Sequence, residues 1–101
     1  MATLLRLTLL VGLGIAATGC GNFVYAIQVN SASAKLEEAR SLGAEQYAAY
    51  EYYMAQQHLE KAQSEASEAD YGDAIELSSS AEEYADKAIT LAREAHRGAG
   101  R

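Results

Sequence analysis

The sequence predicts an all-α fold: a small antiparallel three-helix bundle whose second and third helices form a long alanine-seamed hairpin. Three observations predict it. The 101-residue chain has no proline and no tryptophan, and alanine recurs throughout; alanine loses least on entering a helix, whereas proline would break one. Apolar and small residues recur at steps of four and three, the spacing that keeps them on one helix face. Glycines and acidic turn residues separate the periodic stretches, and short connections make consecutive helices antiparallel neighbours.

The first twenty residues stand apart from this pattern. MATLLR carries one basic residue, Arg6; LTLLVGLGIAA is apolar apart from one threonine; small residues then lead to Cys20. That is the order of regions in a secretory signal peptide. The apolar run is shorter than the roughly 20 residues a transmembrane helix needs. As a buried helix of the fold it would be weakened by Gly12, Gly14 and Gly19. The expected organisation is a leader over residues 1–19 and a mature helical domain over 20–101.

The first helix is expected over about 23–42, where Tyr25, Val29, Ala32, Leu36 and Ala39 share a face. Gly43 suits the left-handed residue that ends a helix. The β-branched Val24, Ile27 and Val29 weaken its beginning. The second helix is expected over about 44–69, on Ala48, Tyr52, Ala55, Leu59, Ala62, Ala66 and Ala69. Tyr47, Tyr50 and Met54 run beside that stripe in its first half, as a central helix would need if a shorter neighbour covered one flank. The third is expected over about 70–97, on Tyr71, Ala74, Ser78, Ala81, Ala85, Ala88, Ala92 and Ala95, with Leu77, Tyr84 and Leu91 alongside. SEAD and DYGD offer capping boxes at its start. Arg93, His96 and Arg97 complement the carbonyl end of its dipole. An alanine seam lets backbones approach toward the lower end of the roughly 8–10 Å range, and its core is thin, because a methyl buries little area at about 25 cal/mol per Å².

Composition excludes several functions. A formal net charge of −6 without a basic stripe is unsuited to nucleic acid, whose phosphates need lysine and arginine. A single cysteine excludes a disulfide scaffold and a thiolate cluster. His58 and His96 fall on different helices with no ligand partner three or four residues away, so no metal or other cofactor is expected. The carboxylates fall between the apolar steps, as on a solvated face, and Ser78-Ser79-Ser80 has no base near it. The chain therefore reads as a non-enzyme. YAAYEYY, residues 47–53, is its most unusual stretch. Helical spacing assigns Tyr47, Tyr50 and Tyr52 to packing faces and turns Tyr53 away. Exposed tyrosines would instead stack on sugars, which makes Tyr50 and Tyr53 the candidate glycan or partner contacts.

Ala17-Thr18-Gly19-Cys20 resembles a bacterial lipobox, with Ala17 where leucine is usual. The resemblance implies that the Cys20 sulfur receives a diacylglycerol, that the chain is cut before Cys20, and that the new amine is acylated, with fatty chains of the palmitate kind. Several chains give durable anchoring at about 0.8 kcal/mol per buried methylene. Gly21, in place of aspartate, implies sorting to the outer membrane. ADYGDAIELSSSAEEYADKAITLA resembles one repeat of a tetratricopeptide array, with Ala69 where a glycine is usual and no further copies. Residues 20–97, through KLEEARSLGAEQYAAYEYYMAQQHLEKA, resemble an uncharacterised family of short alanine-rich bacterial lipoproteins. Residues and resemblances together lead to a lipid-anchored envelope lipoprotein, facing the periplasm, that serves as a helical adaptor for envelope proteins. The alternative is a peptidoglycan- or polysaccharide-binding module joining outer membrane to cell wall. The expected partners are the membrane, through Cys20, and an envelope protein; a homo-oligomer is left open.

Overall fold

The computed structural model describes the backbone of residues 2–100 and the side chains of residues 21–100. Helix α1 (Ala2–Ser41) is followed by the single turn α2 (Ala44–Tyr47), then α3 (Ala49–Ser67) and α4 (Tyr71–Ala99). There is no strand among the described residues. The chain is a small all-α bundle, as its periodicity predicts.

Two boundaries differ from expectation. The first helix is not the short element expected over 23–42: α1 runs unbroken from Ala2 across the expected leader boundary, 40 residues in all. Single glycines cost a helix only about 1 kcal/mol each against alanine, and the leucines and alanines around them are strong helix formers. The leader expected over 1–19 and the Cys20 anchor fall where side chains lie outside the described residues. The second helix, expected unbroken over 44–69, is divided at Ala48, whose φ of −145° and ψ of 50° leave the helical region. The short α2 touches α1 and α4 as well as α3. The break lets Ala44 and Tyr52, on either side of it, reach one cluster with Ala39, Ala88, Ile89 and Ala92.

Both tight turns use left-handed residues. Gly43, at φ 80°, donates to the Arg40 carbonyl at 2.9 Å and closes α1. A Cβ there would meet the Tyr47 ring at 3.2 Å. At the end of α3 the Ala69 amide bonds the Ala66 carbonyl at 3.0 Å and the Asp70 amide bonds the Glu65 carbonyl at 2.9 Å. This pair of bonds satisfies carbonyls that a helix end leaves free. It requires a left-handed residue at position 69, and alanine occupies it at φ 61°. Asp70 then caps α4, its Oδ1 accepting from the Asp73 amide at 3.4 Å.

Helix α4, not the second helix of the sequence pattern, is the central element: it packs against α1, α2 and α3. The physical reason is the width of its face. Ala74, Ser78, Ala81, Ala85, Ala88 and Ala92 are buried together with Ile89, with Leu77 and Tyr84 half-buried beside them. The matching flank of α2 and α3 stays open, since Tyr47 and Tyr50 are exposed. Helices α1 and α4 run parallel, as their paired residues show: Gly21 beside Tyr71, Lys35 with Asp86, Glu38 with Arg93 and Leu42 with His96. Helix α3 runs antiparallel to both and packs against α4, the expected up-down-up order. One end of the bundle thus holds residues 21–25 and the α3–α4 turn, and the other holds the α1–α2 turn and the last turns of α4.

Candidate functional site

The tyrosine stretch is divided by the helix it lies on. Tyr52 is 5 % exposed and belongs to the core. Tyr53 stands edge-on to it, with ring centroids 5.2 Å apart. Tyr50 is 65 % exposed and Tyr53 47 %, so the packing role expected of Tyr50 is not realised. Its ring meets Tyr84 of α4 only edge-to-face, at 6.3 Å. Tyr50 and Tyr53 lie one turn apart on α3, close enough for their side chains to act together. With Ala49, Met54 and Gln57 they line an open groove of about 370 Å³. Next to it Tyr84 is flanked by His58, at 5.3 Å between centroids, and by the Lys87 ammonium, 5.4 Å from the ring centre. The surface is aromatic with a polar margin, the composition that suits stacking on a flat apolar ligand face.

The histidines are held as structural parts. His58 Nδ1–H donates to the Met54 carbonyl one turn back, at 2.8 Å. It lines a groove with Ser80 and Asp73, but no hydrogen bond joins it to Ser80 among the described residues. His96 Nε2–H donates to the Leu42 carbonyl at 2.7 Å, and its ring meets Tyr47 at 5.1 Å. The dipole role predicted for His96 thus becomes a specific bond, made to the turn that follows α1.

The α1–α4 seam carries a polar lattice that periodicity alone does not reveal. Lys35 bridges Glu82 and Asp86, each at 2.9 Å. Asp86 and then Glu82 hold its ammonium above the ordinary lysine range. Glu82 also accepts from Gln28 at 2.6 Å. Lys35 foremost, with Ser31 and Gln28, holds the Glu82 carboxyl below its ordinary value. Further along, Arg93 pairs with Glu38 at 2.6 Å.

Sequence reasoning missed two surface features. Leu42, Thr90, Arg93, His96 and Arg97 line an open groove of about 550 Å³ at the α1–α2 end; the signal was the spacing of the three basic residues on one face of α4. At the opposite end the carboxylates of Glu65, Asp70 and Asp73 come within 4.8 Å of one another. The charge of Asp70 is the main reason that the Asp73 carboxyl sits above its usual range. Lys61 pairs with Glu65 in this cluster, and exposed acids of this kind need no ion. Among the described residues no helix is long and apolar enough to cross a membrane.

The chain belongs to the DUF4398 family, a domain of unknown function, which matches residues 28–99. No curated protein matches it, nor does any solved structure.

Proposed function

We propose that this DUF4398 member is a lipid-anchored lipoprotein of the bacterial cell envelope. Cys20 fastens it to the outer membrane, and its body works in the periplasm as a non-catalytic helical adaptor for envelope proteins. The observation that carries the reading is Cys20, the single cysteine, set directly behind an apolar run and Ala17-Thr18-Gly19. The continuity of α1 from that position into the bundle supports the adaptor role. At 1.5 Å per residue the stretch from Cys20 to Ser41 spans about 30 Å. The groove beside His96 therefore stands well away from the anchor, where a partner can reach it.

The test is chemical. Alkyne-tagged palmitate fed to the expressing bacterium should label the chain and fail to label Cys20→Ser. The mass of the N-terminal peptide should then correspond to acylated Cys20 with residues 1–19 removed. A free thiol in material recovered from the envelope would end the lipoprotein reading. For the adaptor role, a photo-crosslinker at position 93 should trap one discrete envelope protein in living cells, and only self-crosslinks or none would count against it.

A specific observation also favours the second reading, a glycan-binding module: Tyr50 and Tyr53 are exposed side by side over a groove. Co-sedimentation with purified peptidoglycan separates the two readings. Tyr50→Ala and Tyr53→Ala should abolish sedimentation if the tyrosines hold sugar, and a wild-type chain that stays in the supernatant would dismiss the module.

A further inference from the structure

Phe23, Val24 and Ile27 are 68 %, 48 % and 57 % exposed, three large apolar side chains within five residues of α1. They do not face the bundle. On that stretch the inward positions are Gly21, where a Cβ would meet the Tyr71 side chain at 3.5 Å, and Tyr25, whose ring lies 6.1 Å from that of Tyr71. Phe23, Val24 and Ile27 span about 100° of the helix on its outer side, the width of an amphipathic stripe. Position 20 precedes them by three, four and seven residues, the sequence spacing of one helix face. The stripe also has an end. Its continuation, Asn30, Ala34 and Glu38, is exposed and carries no large apolar side chain.

What precedes the stripe identifies its occupant. Residues 7–17 are an apolar run and position 20 is the acylation candidate; cleaved and acylated or not, the chain just ahead of Phe23 seeks hydrocarbon. Phe23 lies about 4.5 Å and Ile27 about 10 Å beyond position 20 along the helix axis. An interfacial helix buries its apolar face to a depth of roughly 5–10 Å, and all three side chains lie close enough to position 20 to enter that layer beside it. We propose that Phe23, Val24 and Ile27 insert into the water–hydrocarbon interface of the bilayer, so that the bundle docks on the membrane through its own first turns instead of swinging on a lipid tether. Asn30 marks where the helix leaves the interface. The inference deepens the anchoring proposed at Cys20 and rests on it for what brings this face to the membrane. The same end of the bundle exposes Glu68, Asp70 and Asp73. Like charges repel, so the favoured surface is a zwitterionic one.

Because the chain has no tryptophan, a single introduced indole reports its own surroundings. Full-length Phe23→Trp is compared with Leu91→Trp, which lies in the far half of α4, at another exposed position. Each is mixed with phosphatidylcholine vesicles carrying a spin label just below the headgroup, and the mass of Cys20 is determined on the same material. The expected result is a blue shift and loss of most emission at position 23, with position 91 unchanged. Acylated, vesicle-bound protein with equal emission at both positions overturns the docking and leaves the anchor standing. An unmodified Cys20 with position 23 still quenched removes the anchor and upholds the docking; an unmodified chain that stays in solution removes both. A blue-shifted indole at position 23 without lipid, accompanied by a dimer in sedimentation, assigns the face to a second copy and overturns the proposal.

Discussion

His96 donates a hydrogen bond from Nε2 to the carbonyl oxygen of Leu42 at 2.7 Å and so ties the last turns of α4 to the end of α1. The carbonyls of a helix end have no partner within the helix, and here another helix supplies one. Tyr47, edge-on at 5.1 Å, holds the imidazole in place. His96→Ala should lower stability by about 0.5–1 kcal/mol, a few degrees in the thermal midpoint of a domain this size. Circular dichroism melts check this, and an unchanged midpoint would mean that the bond is not made in solution.

Ser78 is fully buried in the α4 seam, and its hydroxyl has no hydrogen-bond partner among the described residues. A buried polar group without a partner costs about 1–3 kcal/mol, and alanine is also the better helix former. Ser78→Ala should therefore stabilise the protein, by about 1 kcal/mol, against the usual direction of core substitutions. Its neighbour in the seam, Ala81, is 2 % exposed; Ala81→Leu should destabilise by about 1–3 kcal/mol through overpacking. Urea midpoints of the two variants should move in opposite directions.

Ala69 holds a left-handed conformation at φ 61°, which places Cβ against the following carbonyl and costs roughly 1–2 kcal/mol. Glycine avoids that clash but loses more entropy on folding. The net expectation for Ala69→Gly is a gain of about 0.5–1 kcal/mol. Gly43→Ala introduces the same strain at φ 80° and crowds the Tyr47 ring. It should cost about 1–2 kcal/mol. Equal effects of the two substitutions would contradict the assigned turn geometry.

Glu82 should shape the acid limb of stability. The folded chain holds its carboxyl below the ordinary value of 4.5, so the unfolded chain binds that proton more tightly. The resulting contribution is present above about pH 4.5 and is lost as pH falls through the lower folded-state value. Glu82→Gln should therefore be less stable than wild type at neutral pH, with the gap closing in acid. Chemical denaturation between pH 7 and pH 3 measures the gap; one that widens on acidification would reverse the assignment.

The tyrosines separate folding from binding. Tyr52→Ala removes a buried ring and should cost about 3–5 kcal/mol, enough to unfold most of so thin a bundle. Tyr50→Ala and Tyr53→Ala should each stay within about 0.5 kcal/mol of wild type. Any loss of peptidoglycan sedimentation in those two variants would then belong to the surface and not to the fold.

Much of the architecture was legible in the residues. The four-three steps placed Ala32, Ala39, Ala55, Leu59, Ala62, Ala74, Ala85 and Ala92 in the core, where all are buried. Gly43 was legible as a helix end because only glycine takes that conformation without strain. Ala69 was not read as the residue ending α3, since alanine gives no such signal, although the glycine usual at that place in tetratricopeptide repeats pointed there. The tyrosine stretch was half legible. Spacing found Tyr52 and Tyr53 but put Tyr50 inside, because periodicity names a face without saying whether a neighbour covers it.

The sequence by itself determined which residues repel water and at what period, and hence the helices, most of the buried seam and the special place of Cys20. Those properties are local: each follows from a residue and its neighbours within a turn or two. Only the tertiary structure decided that α4 is central, that Lys35 joins Glu82 and Asp86, that His96 closes α1, and that Phe23, Val24 and Ile27 are left uncovered. These depend on which helix lies beside which, at sequence separations far longer than a helix turn. Side-chain period alone carries no information about that pairing, because an alanine seam fits any of its neighbours almost equally well.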